Sequence, residues 1–331
     1  SGTPQDKANF SLLLYDIRTA IDSFGLIHGK PMLLTAAVGA AKERMMDIEW
    51  PIVSQYLDII NLMTYDFFGA YSSLTNHNSP LYAPAHGDPG YNLDSAVIRL
   101  VNDFGVSPQK ITVGLAFYGH STITSVTPGL HVASTGTVDN TTFSTDAGSP
   151  LYYNILEQMS LFTDNWDSQA RVPYLTGNGG LNTFVSYDNE NSIAEKAQYI
   201  LDNNLRGAII WEITGDYLET SSGSGVIKNT PLVDTLNAVF CSSPVSNSNK
   251  ELKGISTFPS ITNGKVNIEL PELCHNITVI VINFQGKMVS TKNIYSAISF
   301  DFEINGKAGL YIMQVNISGY TPSVFKVLKT N

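Results

Sequence analysis

Through residues 1–240 the apolar positions follow two alternating rhythms, and beyond residue 254 they follow a third. In "DKANFSLLLYDIRTAIDSFG", Phe10, Leu13, Leu14, Ile17 and Ile21 recur at helical spacing, which predicts an amphipathic helix capped by Gly25. "PMLLTAAVGAA" is a short buried run rich in small residues; a helical stretch near "DIEWPIVSQYL" and the apolar run "LDIINLM" follow it. Next come "NLDSAVIRLVNDFG" as a helix, "KITVGLAFYG" as a strand, "NSIAEKAQYILDNNL" as a helix, "GAIIWEI" as a strand and "PLVDTLNAVF" as a helix. Apolar strands at 32–38, 57–63, 111–117 and 207–213, separated by amphipathic helices, predict an α/β fold with a parallel sheet covered by helices.

About 70 residues separate the third strand from its helix, far more than such a connection needs, so 121–190 is expected to be an inserted α+β domain. Its Thr, Ser, Gly and Tyr content suits short strands. The flanking pieces, 1–120 and 191–241, then form one domain. "CSSPVSNSNKELKG" reads as a polar linker over 242–253. Beyond it, "GKVNIEL", "NITVIVINFQGKMVS", "SFDFEI" and "GLYIMQVNI" alternate with period two and predict a separate β-sandwich over 254–331.

Composition narrows the function. The 331 residues are 43% hydrophobic, enough for more than one core. Lys and Arg number 19 against 29 Asp and Glu, a formal charge of -10 without any basic cluster, which argues against a nucleic-acid partner. No apolar run is long enough to span a membrane, and the histidines show no ligand spacing, so neither a membrane span nor a metal or other cofactor is expected. Cys241 and Cys274 are expected to be free thiols. The opening "SGTPQDKANF" reads as a cut terminus, with any targeting segment removed or upstream.

Parallel strands separated by helices place functional groups at the carboxyl ends of the strands. The second strand ends in Met63, Tyr65 and Asp66, the third in Phe117, Tyr118 and His120, and the fourth in Trp211 and Glu212. Aromatic rings with a few carboxylates suit a sugar, whose faces stack on rings and whose hydroxyls need acceptors. From composition alone Trp211 reads more readily as a core residue, and Tyr118 reads equally well as one packed under a helix. Asp66 is harder to treat as structural, because a carboxylate following a buried strand is costly unless paired or hydrogen-bonded. Glu212 reads as a cap or a pairing partner and is left outside the site.

"LDIINLMTYDFFGAY", "NHNSPLYAP", "KITVGLAFYG", "SYDNENSIAEKAQYI" and "GAIIWEITGD" occur in the order seen in glycoside hydrolase family 18, the chitinases and their relatives. The resemblance implies a (β/α)8 barrel, of which the four strands would be the fifth to eighth, with the inserted domain after the seventh. It implies substrate-assisted hydrolysis, in which the sugar's N-acetyl oxygen attacks the anomeric carbon while a carboxylic acid protonates the leaving oxygen. Tyr65 and Asp66 would be the catalytic pair, Tyr65 donating to the acetamido oxygen and Asp66 holding the distorted sugar. Met63 and Trp211 would form the floor beneath that sugar. Tyr118, His120 and Tyr71 would complete substrate binding, the last two where the family often has Arg and Trp. The implied partners are chitin or N-acetylglucosamine oligosaccharides, bound by a monomer.

The family's acid ends a D-x-x-D-x-D-x-E string that this chain does not contain. "DIEWP" lies in the segment matching a barrel helix, so Glu49 is not expected to replace it. The expectation is a half-barrel whose acid lies upstream, inactive alone. "FPSITNGKVNIEL", "INFQGKMVS", "KAGLYIMQV" and "FKVLKT" resemble the C-terminal sorting domains of type IX secretion. That implies a secreted or surface-attached protein handled by the secretion machinery; a carbohydrate-binding β-sandwich is the rival reading. A peptidoglycan or N-glycan hydrolase and a sugar-binding lectin with a dead site are the competing functions.

Overall fold

The structure is a computed structural model that describes residues 2–146, 148–221, 223–242, 252–284, 287–317, 320 and 322–330. Most of the expected linker, 243–251, lies outside the described residues. The chain divides into two compact units, Ser1–Phe240 and Cys241–Asn331.

The first unit runs α1 (Pro4–His28), β1 (Thr35–Gly39), α2 (Lys42–Met46), α3 (Trp50–Tyr56), β2 (Ile59–Met63), α4 (Leu93–Ile98) and β3 (Ile111–Ala116). It continues with β4 (His120–Ile123), α5 (Tyr152–Gln158), β5 (Phe162–Asp167), β6 (Val172–Gly177), β7 (Thr183–Ser186) and α6 (Glu190–Asp202). β8 (Gly207–Trp211), a hairpin of β9 (Leu218–Glu219) and β10 (Ile227–Asn229), and α7 (Pro231–Ser242) complete it. The four apolar runs pair in parallel in the order β1-β2-β3-β8. Gly39 pairs with Met63, Leu62 with Val113 and Ala116 with Trp211, so the carboxyl ends share one edge. Every residue of β3 is buried, as an interior parallel strand covered on both faces requires.

All four strands are shorter than their apolar runs, β2 starting at Ile59 rather than 57 and β3 ending at Ala116 rather than 117. Leu34 gives its N–H to the Asp58 carboxylate at 2.7 Å rather than to a neighbouring strand, so β1 starts at Thr35 instead of residue 32. β8 ends at Trp211 because Ile213–Asp216 closes into a 3₁₀ turn. Helix α1 also departs from expectation: Gly29, with φ 63°, is its C-cap, and Gly25 lies inside it. A Cβ at Gly25 would stand 2.6 Å from the Lys30 carbonyl oxygen, so this glycine permits the chain to turn back closely rather than ending the helix.

The segment between β3 and α6 forms its own antiparallel sheet, ordered β4-β7-β6-β5. It is not loosely attached. Leu115 and Phe117 share a buried cluster with Tyr152, Ile155 and Val185 of this segment, and with Ile193 and Leu232 of α6 and α7. Leu, Val and Phe side chains from both sheets thus fix the insertion against the strand that carries Tyr118. A second cluster, with Trp50, Leu57, Ile60, Leu93 and Ile111 fully buried, packs α3 and α4 on the other part of the parallel sheet.

The second unit contains β11 (Ser256–Phe258), β12 (Ile261–Thr262), β13 (Lys265–Asn283), β14 (Met288–Glu303), β15 (Gly309–Ile317) and β16 (Ser323–Lys329) in one sheet. Alternate residues Val266, Ile268, Val279, Val281, Met313, Val315 and Val327 fill one core, so the period-two pattern is expressed as one buried face. Cys274 is buried there, and both cysteines are free.

Candidate functional site

The carboxyl edge of the parallel sheet is organised by Thr64, the first residue beyond β2. Its hydroxyl accepts the Gly114 N–H and donates to the Gly114 carbonyl, both at 2.9 Å, pinning this turn to β3. The Tyr65 ring then lies over Gly114, where a Cβ would approach Tyr65 Cε1 to 2.5 Å. Only glycine leaves room for that ring. Asp66 follows in the left-handed region, with φ 59°, and its N–H donates to Asn78 Oδ1 at 2.8 Å. A non-glycine residue held there is a local strain that the surrounding bonds must offset. The Tyr71 hydroxyl supplies another such bond, donating to the Asp66 carbonyl at 2.7 Å.

This backbone presents the Asp66 carboxylate to Tyr118, from the connection after β3, and to His120, from the start of β4. The Tyr118 hydroxyl donates to Asp66 Oδ1 at 2.5 Å, and His120 Nε2 lies 2.8 Å from the same oxygen. His120 Nδ1 lies 3.2 Å from the Ser149 hydroxyl. Among the described residues no hydrogen bond involves Asp66 Oδ2, and 54% of the side chain is exposed. Burial pushes the Asp66 carboxyl up, but the bonds from His120 and Tyr118, and then the electrostatic attraction of His120, outweigh it and hold the group below its usual value. Tyr65 moves the other way: burial, then the adjacent Asp66 charge, raises its phenol, so it remains a donor. Its hydroxyl makes no hydrogen bond among the described residues.

Two cavities meet at Asp66. One, of about 490 Å³, is lined by Met63, Tyr65, Asp66 and Tyr71, together with Phe67, Phe68 and Tyr91. The other, of about 280 Å³, is lined by Asp66, Tyr118, His120 and Trp211, with Ser149, Leu151 and Glu212. All seven residues singled out in the sequence therefore line one cavity or the other. Trp211 is 58% exposed and lines the second cavity. Glu212, left outside the site on sequence grounds, lines the second cavity beside it. Glu49 begins α3 and accepts a bond from Ser11 of α1 at 2.7 Å, so it belongs to the helical layer.

Sequence reasoning missed the layer beneath. Lys196 of α6 is fully buried and donates to both oxygens of Asp188, at 2.6 and 2.7 Å, and to the Ser79 hydroxyl at 2.9 Å. Ser79 donates in turn to the Thr64 carbonyl at 2.6 Å. Burial pulls the Lys196 ammonium down, against the attraction of Asp188. The available signal was "NHNS" at 76–79, four consecutive polar residues that are all buried. Among the described residues no group of three His, Cys, Asp or Glu side chains could hold a metal ion. No described helix is long and apolar enough to cross a membrane.

The family model described as glycosyl hydrolases family 18 matches residues 1–216. The chain belongs to that family. A secretion system C-terminal sorting domain matches residues 256–329, and the protein is secreted or held at the cell surface. Chitinase A1 of Niallia circulans is 35% identical over 229 residues, covering 66% of this chain and 33% of that protein. The chain thus spans about a third of that relative's length. The Group IV chitinase of Ostrinia furnacalis, solved in complex with allosamidin, is similar at a TM-score of 0.63 and 31% identity, over 73% of this chain and 64% of that one. Human YKL-39, described as a pseudo-chitinase with retained chitooligosaccharide binding, is similar at 0.65 and 26%, over 72% and 66%. These family 18 structures carry a TIM-barrel-like α/β fold, to which the parallel sheet of this chain corresponds.

Proposed function

We propose that this chain is the C-terminal portion of a chitinase-like hydrolase that cleaves β-1,4-linked N-acetylglucosamine polymers by the substrate-assisted retaining mechanism. β1, β2, β3 and β8 are the fifth to eighth strands of its barrel, 121–190 is an inserted α+β domain, and 254–331 is a sorting module whose strands, expected as a two-sheet sandwich, join in one sheet. The observation that carries the reading is the pairing of a Tyr65 hydroxyl without a hydrogen-bond partner among the described residues with a half-exposed Asp66 carboxylate, where two cavities meet.

In this reading the Tyr65 hydroxyl donates to the acetamido oxygen and holds it in line with the anomeric carbon. Attack of that oxygen expels the leaving group, and water later opens the oxazolinium ion with retention of configuration. Fixing an internal nucleophile in line can lower the barrier by several kcal/mol, on the order of what effective molarity supplies. Asp66, kept ionised by Tyr118 and His120, stabilises the positive charge of the ring and nitrogen through its open oxygen. Met63 and Trp211 bound the sugar's apolar face. The leaving oxygen needs a carboxylic acid that these residues do not provide, and the family signature places it on the barrel strand preceding α1.

The test is hydrolysis of a fluorogenic chitobioside by the 331-residue chain beside a form extended upstream through the signature strand. Turnover is expected only in the extended form, and turnover by the shorter chain refutes the assignment of the acid. The likeness to human YKL-39 keeps a second reading in play, a lectin that binds the same sugars without cleaving them. An extended form that binds N-acetylglucosamine oligomers but never turns over would establish it.

A further inference from the structure

A third cavity, of about 660 Å³, lies outside the site described above, between α5 and the β9–β10 hairpin. Tyr153, Leu156 and Glu157 line it from α5, and Thr214, Tyr217, Leu218 and Glu219 from the segment after β8. It is not remote from Trp211. The stretch 151–153 begins on the cavity shared by Asp66 and Trp211 and ends on this one, and so does the stretch 212–214. Thr214, which lines this cavity, donates its hydroxyl to Glu212, which lines the other.

The lining has a definite chemistry. Two partly buried tyrosines and two leucines offer ring-sized apolar faces, and the volume falls in the range of small-ligand sites. Glu157 and Glu219 have no ion-pair partner among the described residues, and no Lys, Arg or His lines the cavity. Glu219 accepts one bond, from the Gly225 N–H at 3.1 Å, and Glu157 accepts none among the described residues. Burial, then the charges of Asp146, Glu157 and Glu219, raise the Tyr153 phenol against the side-chain hydrogen bond with Asn154, so the charges acting on it are negative. A neutral acetamido sugar leaves those charges unanswered. A sugar bearing a free ammonium answers them.

We infer that this cavity is a saccharide subsite adjoining the Asp66 site and that it takes a glucosamine unit, with a free amine, in preference to an N-acetylated one. The inference rests on the proposed function, and it makes the substrate a partly deacetylated chain: the acetylated unit sits at Tyr65 and Asp66, and the cationic unit between Tyr153 and Tyr217. The test is binding of two hexamers to the full 331-residue chain by calorimetry, fully acetylated chitohexaose and a half-deacetylated hexamer. Wild type is expected to bind the second more tightly, by about fivefold for two partly exposed charge contacts. Glu157→Gln with Glu219→Gln should erase that preference, and so should molar salt, while affinity for the acetylated hexamer stays the same. Equal affinities in wild type, or a preference that survives both changes, would overturn the inference. Asp66→Ala is read separately, in the form extended upstream: if it leaves chitobioside turnover intact, the proposed function fails, whatever the carboxylates of the third cavity do.

Discussion

Asp66 and Asp188 are both carboxylates that follow a buried strand, and the structure treats them in opposite ways. The Asp188 side chain is 1% exposed and has Lys196 on both oxygens, with the Ser192 hydroxyl on one of them at 2.6 Å. The Asp66 side chain is 54% exposed and has both of its partners on a single oxygen. A fully satisfied buried charge does structural work, since all of its hydrogen-bonding capacity is spent inside the protein. A charge that is oriented by neighbours yet left with an open oxygen is available to a ligand. The two are joined, because Lys196 reaches Ser79, and Ser79 bonds the carbonyl of Thr64 immediately before Tyr65 and Asp66.

The largest expected effect breaks the buried member. Lys196→Met strands the Asp188 charge and should cost about 3–5 kcal/mol in a denaturant titration of the chain. Replacing Lys196 and Asp188 together by Met and Leu should cost much less, because no unpaired charge remains. If the single and double variants lose equally, the ion pair is not what holds this layer. Next in size is Gly114→Ala, whose Cβ must displace the Tyr65 ring. Overpacking of this kind costs about 1–3 kcal/mol and should weaken binding of N-acetylglucosamine oligomers, as read by thermal melts and calorimetry.

On the exposed side the pattern should reverse. Trp211→Ala is expected to leave stability within about 0.5 kcal/mol of wild type, because the indole is mostly exposed. It should nevertheless weaken sugar binding by about 1 kcal/mol, the scale of one lost stacking contact. A stability loss without a binding loss would return Trp211 to the core. The smallest effect sharpens the electrostatics. Asp66 has a folded value below its ordinary 3.8, so its contribution to stability is present above that pH and lost as pH falls through the lowered value. His120→Asn removes a bond and a charge that favour the ionised form, so the Asp66 carboxyl resonance should titrate at higher pH. An unchanged midpoint would show that Tyr118 alone controls it.

The sequence made the parallel sheet legible because each strand is a continuous apolar run, as burial on both faces demands, with helical spacing on either side. The insertion was readable from an oversized connection, and the tail from its period of two. The rim residues were readable because they follow those strands directly. What escaped is what acts across long separations. Asn78 orients Asp66 through its side chain, twelve residues away, and nothing in the pattern "NHNSP" says which backbone group it bonds. Lys196 sits in an amphipathic helix, where a lysine reads as solvated surface; only the arrival of Asp188 and Ser79 in space makes its burial affordable. Glu212 was passed over because a carboxylate beside a tryptophan reads as a cap until the cavity beside it is seen.

The central claim concerns one hydroxyl. Tyr65 is held against Gly114 with its phenol protonated and no protein partner among the described residues, so removing the oxygen should disturb nothing but a ligand. The direct measurement compares Tyr65→Phe with wild type for the affinity of chitotetraose and for melting temperature. The account predicts an unchanged melt and an affinity lower by about three- to tenfold, the net effect of one lost hydrogen bond. Equal affinity in the two proteins, or a variant that melts early, would contradict it.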